Sequence, residues 1–255
     1  MRLDLYLLKK KLAASRTQAQ ELIKTGNVFL KIAQQETILN KSSHLVSLEQ
    51  QDFIFVKQNN LQKYVSRGGN KLQAAVQLLK IEIAGKCILD VGQSTGGFTD
   101  FLLQSGATEI VGFDVGHDQL HEKLKNFPNI SFFEGLHAKD LSVNENFLAK
   151  VPANGFDLIV MDVSFISITK VIIFLKVYLK MGGEFLFLVK PQFELAAANL
   201  DRNGIVKEKK LFKQVQENIE KDARLHFGTV LNYIPSELSG KDGNQEFFIY
   251  GQKTI

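Results

Sequence analysis

The sequence predicts an α/β protein built on a doubly wound, largely parallel sheet behind a small α+β domain. Three observations lead there. Residues 86–100, KCILDVGQSTGGFTD, pass from a short apolar run through a glycine-rich turn into helical spacing. Asp90, Asp114, Asp162 and Lys190 each close an apolar run, so four ionisable groups share what would be one carboxyl edge. The first 60 residues instead hold two short amphipathic stretches followed by strand-like material. Open α/β sheets bind ligands outside the carboxyl ends of their strands, where the strand order reverses.

The glycine-rich stretch has the clearest chemistry. Gly92, Gly96 and Gly97 let backbone N–H groups approach a ligand, and the helix from Phe98 offers its N-terminus to negative charge. The spacing matches neither GxGxxG with an immediate helix nor GxxxxGK[ST], so a pyrophosphate is not the best fit. An acid, Asp90, beside a loop with Ser94 and Thr95 suits a ligand carrying both ammonium and carboxylate, as S-adenosyl-L-methionine does. Taken alone, the stretch supports only an α/β cofactor domain, and a tight structural turn would read the same way.

The chain of 255 residues is 45% hydrophobic and 23% charged, ordinary for a globular protein, and suits one large or two modest domains. No apolar run approaches the roughly 18 residues of a membrane span. MRLDLYLLKKKLAASR has charges spread through it and no uninterrupted apolar core, which argues against a secretory leader. The single cysteine, Cys87, falls in a core strand, as expected in a reducing compartment. A cytoplasmic protein is expected, with no membrane partner and no metal. Residues 1–71 carry 12 Lys+Arg against 5 Asp+Glu, the remaining 184 residues 19 against 22. A basic front end suits a polyanion, although lysines on a solvated face give the same count.

In chain order, periodicity predicts helices over 2–11 and 16–24, the second closed by Gly26, then a strand over 28–30 and strand-like material over 45–56. Gln58-Asn59-Asn60 reads as a linker. Lys71 opens a helix with Leu72, Ala75, Val76 and Leu79 on one face; a cation there opposes the dipole and suggests a ligand nearby. A second strand, 110–113, ends on Asp114, placed 24 positions after Asp90 as a ribose-binding acid would be. A third strand spans 130–133, and His137 and Ala138 after it would lie along an adenine. A fourth strand over 156–161 ends at Asp162. A helix over 168–180 stops at Gly182-Gly183, and a fifth strand over 185–189 ends at Lys190-Pro191. A helix over 209–224 and two strands, 229–234 and 246–251, complete the chain, with a turn-rich loop over 239–244 between the strands.

Arg2-Leu3-Asp4, Tyr6-Leu7, Ser15-Arg16, Ala19, Leu22-Ile23, Gly26 and Val28 together resemble the S4 RNA-binding domain. Where that family continues with a V-N-G turn, this chain has Phe29-Leu30-Lys31-Ile32-Ala33, so an altered turn is expected. The segments YVSRGGNKL, DVGQSTGGFTD, DVSFIS, LVKPQFE and GNQEF, in that order, resemble the TlyA family, long labelled haemolysins. That family joins an S4 domain to an FtsJ-like methyltransferase.

The resemblance implies an S4-like domain over 1–60, a linker over 61–67 and, over 68–255, a Rossmann-like class I methyltransferase sheet. It implies methyl transfer from S-adenosyl-L-methionine to a ribose 2′-hydroxyl of ribosomal RNA, with cytidine as target, on naked RNA or ribosomal subunits. A catalytic tetrad is implied at Lys71, Asp162, Lys190 and Glu246: Lys190 as base, Lys71 beside it, Asp162 orienting Lys190 and Glu246 fixing Lys71. The cofactor would meet Asp90, Gly92, Ser94, Thr95, Gly96, Gly97, Phe98, Asp114, His137, Ala138 and Asp162. RNA would meet Arg2, Ser15, Arg16, Lys24 and Arg67. The departures are Gln93 where alanine is usual, which would perturb cofactor affinity, and His137 where asparagine is common. Two other readings compete: an RNA-binding ribosome-assembly factor that no longer catalyses, and a pore-forming haemolysin.

Overall fold

The computed structural model describes every residue except 14–15, 25, 33–34, 57–62 and 241–242, and for 17, 18, 21 and 48 the backbone alone. Two compact units result, Met1–Gln62 and Lys63–Ile255. The linker expected at Gln58-Asn59-Asn60, and Ser15, lie outside the described residues. Tyr64, expected in a linker, is buried in the second unit, where its ring meets Phe101 edge-on.

The first unit consists of helices α1 (Leu3–Lys9) and α2 (Arg16–Lys24) and strands β1 (Val28–Ile32), β2 (Gln35–Ile38) and β3 (Ile54–Val56). The strands form an antiparallel sheet in the order β2-β1-β3. Leu3, Tyr6 and Leu7 on α1 and Ala19 and Ile23 on α2 bury the faces that their spacing marked. α1 stops earlier than predicted because Lys11 turns left-handed, at φ 57°. β2 has all four positions exposed, so no alternation announced it. Of the altered turn, Phe29 to Ile32 belong to β1, paired through Ile32 with Gln35, and Ala33 lies outside the described residues. Of the strand-like segment 45–56, only Ile54–Val56 is a strand; the polar LEQQDF before it forms a 3-10 helix.

The second unit begins with α3 (Arg67–Leu79), β4 (Cys87–Val91), α4 (Gly97–Gln104) and β5 (Glu109–Asp114). It continues through α5 (Glu122–Lys125), β6 (Ile130–Glu134), α6 (Glu145–Leu148), β7 (Phe156–Met161), α7 (Thr169–Leu175) and β8 (Leu179–Val189). It ends with α8 (Pro191–Glu194), α9 (Leu211–Phe227), β9 (Gly228–Pro235) and β10 (Phe247–Lys253). The seven-stranded sheet has the order β6-β5-β4-β7-β8-β10-β9. β4 to β8 pair in parallel, and β10 runs antiparallel to both its neighbours. The order reverses at β4, so the crevice between β4 and β7 is the topological switch point.

Each central strand is buried on both faces, and its residues alternate between two cores. Ile88, Leu158, Val160, Leu186 and Leu188 pack with Leu72 and Val76 of α3 and Phe101 and Leu102 of α4. Leu89, Val91, Ile159, Met161, Phe185 and Phe187 pack with Ile172 of α7 and Ile219 and Phe227 of α9. Two boundaries differ from expectation. α7 ends at Leu175, and β8 starts at Leu179, six residues earlier than predicted, carrying Gly182-Gly183 inside it. Leu179 is buried opposite Phe156, and Gly182 at φ 74° lets the strand bend there rather than end a helix. α3 begins at Arg67, so Lys71 lies one turn inside the helix and is buried, not at its exposed start.

Candidate active site

Main-chain bonds from the glycine-rich loop anchor it to the neighbouring strands. Gly92 N and Gln93 N both donate to Phe113 O of β5, at 3.0 and 3.1 Å, and Asp162 N donates to Val91 O at 2.9 Å. Gly92 has φ 79°, and a Cβ on it would stand 2.7 Å from the Asp162 carbonyl oxygen. No other residue allows β4 and β7 to approach there. The loop then turns at Ser94, and Asp114 receives Ser94 N on one carboxylate oxygen and Gly116 N on the other, both at 2.8 Å. Gly96 caps α4 in a left-handed conformation. Gly97 lies so close to the start of α3 that a Cβ would meet Ser66 Oγ at 2.1 Å and Gly69 N at 3.1 Å.

Asp90 is not at the strand end: β4 runs on to Val91, and the Asp90 side chain is wholly buried on the α4 side. It accepts the Thr99 hydroxyl at 2.6 Å, and Thr99 in turn accepts from the Gln93 amide at 2.8 Å. Gln93 thus turns inward over Gly112 and braces α4 against the strand. Asp90 Oδ1 has no hydrogen-bond partner among the described residues. Burial pushes its carboxyl up to about 7, the Thr99 bond opposing this and the charges of Asp162 and Asp114 adding to it.

That shift sets a pH dependence. The folded value lies above the unfolded value of about 4, so Asp90 costs the fold nothing below pH 4. The penalty grows from there through about pH 7, at roughly 1.4 kcal/mol per unit. Urea unfolding of the ligand-free protein at pH 5 and 7.5 should show a loss of stability that Asp90→Asn reduces by a few kcal/mol. Equal pH slopes for the two proteins would refute the assignment.

Phe98 is buried, its ring stacked on Phe248, so it can offer a ligand only backbone. Thr95 is exposed on the loop, His137 is exposed ahead of a 3-10 helix, and Ala138 is half-buried against the core. Glu134, which sequence reasoning missed, accepts the N–H groups of Asp118, Gln119 and Leu120 at 2.8, 2.8 and 3.1 Å. The Leu120 bond, with the other two, holds its carboxyl below the usual range and folds the loop after β5 over the strand ends. The signal available was an acid directly after the apolar run 130–133, and the structure puts it in register opposite Asp114.

The remaining ionisable groups form two pairs. Lys190 lies 2.6 Å from Asp162 and donates to Ser164 Oγ at 2.8 Å. Lys71 and Glu246 form a hydrogen-bonded ion pair with side-chain exposures of only 10% and 3%. Phe247 pairs with Val189 across β10 and β8, so Glu246 and Lys190 leave adjoining strands side by side. Arg67 donates to Ser239 O at 3.1 Å, tying α3 to the loop before Glu246. Phe165, on the loop after Asp162, is 91% exposed at φ 64° and lies against Phe193, ring centroids 5.2 Å apart. Phe165 lies within DVSFIS and Phe193 within LVKPQFE, and nothing in their spacing announces a role for either ring.

In the first unit, Arg2 and Arg16 converge on buried Asp4. Arg2 Nε and Nη2 donate to it at 3.0 and 3.1 Å, Arg16 Nε at 3.0 Å and Gln20 Nε2 at 3.2 Å. The Arg2 guanidinium holds the Asp4 carboxyl far below the usual range. Both arginines are half-exposed, so an outer edge of each faces solvent. Lys24 is exposed at the end of α2.

An FtsJ-like methyltransferase family matches residues 64–253, and an S4 domain matches residues 1–30. The chain is 37% identical to Hemolysin A of Brachyspira hyodysenteriae, over 98% of this chain and 99% of that protein. The chain belongs to the TlyA family of FtsJ-like methyltransferases. A second TlyA relative, the 16S/23S rRNA (cytidine-2′-O)-methyltransferase of Mycobacterium tuberculosis, is 32% identical over 98% of this chain and 88% of its own. A solved structure from Streptococcus thermophilus with a haemolysin name superposes with a TM-score of 0.74 at 31% identity. It covers 100% of this chain and 88% of that one. The architecture is thus that of a TlyA protein, an S4 domain followed in the chain by a methyltransferase domain.

Proposed function

We propose that this protein transfers the methyl group of S-adenosyl-L-methionine to a ribose 2′-hydroxyl of ribosomal RNA, with cytidine as the target nucleoside, in the cytoplasm. The observation that carries the reading is the Lys190–Asp162 pair at the ends of β8 and β7, with Glu246 beside Lys190 ahead of β10 and paired with Lys71 of α3. The TlyA relative named for cytidine 2′-O-methylation, aligned over nearly the whole chain, supports the substrate. The S4 match and the basic first 71 residues support an RNA partner.

The residues present fit this cofactor. Asp90 Oδ1 is a buried acceptor without a partner among the described residues, next to Asp162, and suits an ammonium. The Gly92–Gly97 loop brings backbone N–H groups and a helix N-terminus close enough for a carboxylate. Asp114 is placed for ribose hydroxyls, with the backbone bonds it already accepts holding it in orientation. His137 and Ala138 would flank the adenine.

When bound, S-adenosyl-L-methionine supplies an electrophilic sulfonium methyl, so the protein has only to align a hydroxyl and remove its proton. Lys190, once its ammonium has released a proton to solvent, takes up the hydroxyl proton as a neutral amine and becomes the ammonium again. Asp162 and Ser164 hold its Nζ in place, and Lys71, fixed by Glu246, sits on the acceptor side. Phe165, an exposed ring backed by Phe193, offers a face on which the target base stacks. Base–aromatic stacking is worth about 1–3 kcal/mol, so Phe165→Ala should raise the KM for RNA about tenfold and leave cofactor affinity unchanged. Unchanged RNA kinetics would remove the ring from the acceptor site.

The test of the reading is incubation with radiolabelled S-adenosyl-L-methionine and unmodified ribosomal subunits, the product being mapped by nuclease digestion. Label on a cytidine 2′-oxygen is expected. Cofactor binding without transfer would favour an assembly factor. The haemolysin names of relatives raise a membrane-active reading; among the described residues no helix is long and apolar enough to cross a membrane. Lysis of erythrocytes by purified protein, with no RNA labelling, would favour that reading.

A further inference from the structure

Residues 162–168 and 190–194 are joined along their whole length. Lys190 holds Asp162 and Ser164, at 2.6 and 2.8 Å, and the Phe193 ring lies 5.2 Å from that of Phe165. At the far end Glu194 accepts the Ser167 hydroxyl on one oxygen and the Ile168 N–H, at 2.9 Å, on the other. Neither segment holds its own shape. α8 has four residues, and 162–168 contains no helix or strand. Phe165 nevertheless sits at φ 64°, a conformation that non-glycine residues keep only when their surroundings impose it.

Of the contacts that impose it, those of Glu194 are the ones remote from the reacting groups. Ile168 is the N-cap of α7, where backbone N–H groups lack partners inside the helix and a carboxylate is favoured. Burial raises the Glu194 carboxyl above its ordinary value, while the bonds from Ser167 and Ile168 pull the other way. A half-buried acid kept at that cost, bonded to a loop instead of to a cation, is accounted for by what the loop carries.

We propose that Glu194 is a positioning residue for the acceptor side of the reaction, accepting from Ser167 and Ile168 so that Phe165 and Ser164 are presented beside Lys190. The proposal rests on the functional reading above and goes beyond it, because among the described residues Glu194 bonds to Ser167 and Ile168 and to neither the glycine-rich loop nor Lys190.

Hydrogen exchange and kinetics on the full chain test it together. Glu194→Ala should speed exchange in a peptide covering 162–168 without doing so in β4 or β7. It should also raise the KM for ribosomal RNA and lower kcat, each about tenfold, the scale of losing hydrogen bonds to a charged group. The Kd for S-adenosyl-L-methionine should stay within about twofold, which general destabilisation would not spare. Glu194→Gln keeps an oxygen for Ile168 N–H and an amide N–H for Ser167 Oγ, and should restore both loop protection and kinetics to within about threefold of wild type. Should Glu194→Ala fail to fold, Ser167→Ala, which removes one contact, should give the same signs at smaller size. Wild-type exchange and wild-type RNA kinetics in Glu194→Ala would overturn the proposal, as would a Gln variant no better than Ala. A wild-type protein that transfers no methyl group would instead sink the functional reading and, with it, the acceptor role; an active wild type matched by Glu194→Ala would sink this proposal alone.

Discussion

Lys190→Ala should lower kcat for RNA methylation by about 10²–10⁴-fold, the usual contribution of a positioned general base. Lys190 stands at the end of β8 with Asp162 and Ser164 on its ammonium, so its removal empties the acceptor side and leaves the loop of Gly92–Gly97 intact. Cofactor affinity should therefore stay within about threefold, a kcat effect rather than a binding one. Lys190→Arg separates proton removal from charge. Arginine keeps the cation and its ion pair with Asp162 but does not deprotonate in a protein. An inactive Arg variant supports a base; an active one reduces Lys190 to an electrostatic clamp. Near-normal turnover of the Ala variant at saturating cofactor would end the assignment altogether.

The Lys71–Glu246 pair should produce the largest effect on stability. Both side chains are almost fully buried, so truncating either leaves an uncompensated charge, at a cost of about 3–5 kcal/mol. Lys71→Met with Glu246→Leu removes both charges and should cost clearly less than either single change, because the desolvation penalty disappears with the pair. Urea unfolding of the four proteins closes the cycle. Single-variant losses below about 1 kcal/mol would mean that the pair behaves like a surface bridge and that water reaches it. The double variant should still lack methyl transfer, which distinguishes the pair's part in the reaction from its part in the fold.

Much of the fold was legible because the central strands are short, continuous apolar runs with an abrupt polar end. β7 was bounded correctly at both ends, Phe156–Met161, and β4 to β6 to within a residue or two, since burial on both faces leaves no polar position to blur them. β2 was invisible because it is exposed throughout and owes its existence to pairing with β1. The α7–β8 boundary was misplaced because LKVYLKMGG keeps helical spacing locally, and only Leu179 packing opposite Phe156 makes it strand. Gln93 illustrates the same limit for the site. The sequence marks Gln93 as a departure from the usual alanine, but not that it fills the space over Gly112, 19 positions later.

By itself, the sequence determined the order of strands and loops, the glycine-rich turn after β4, and the run of ionisable residues closing successive strands. These are local properties, written in the period and the ends of apolar segments. Family resemblance added the names of four residues and their pairing. Only the tertiary structure decided what surrounds them: Lys71 buried against Glu246 from 175 residues away, Asp90 withdrawn beneath the loop, and Phe165 held outward against Phe193. The physical reason is that a partner's identity depends on which strands become neighbours. Sheet order here is set by packing two continuous cores, and no single stretch of chain contains that information.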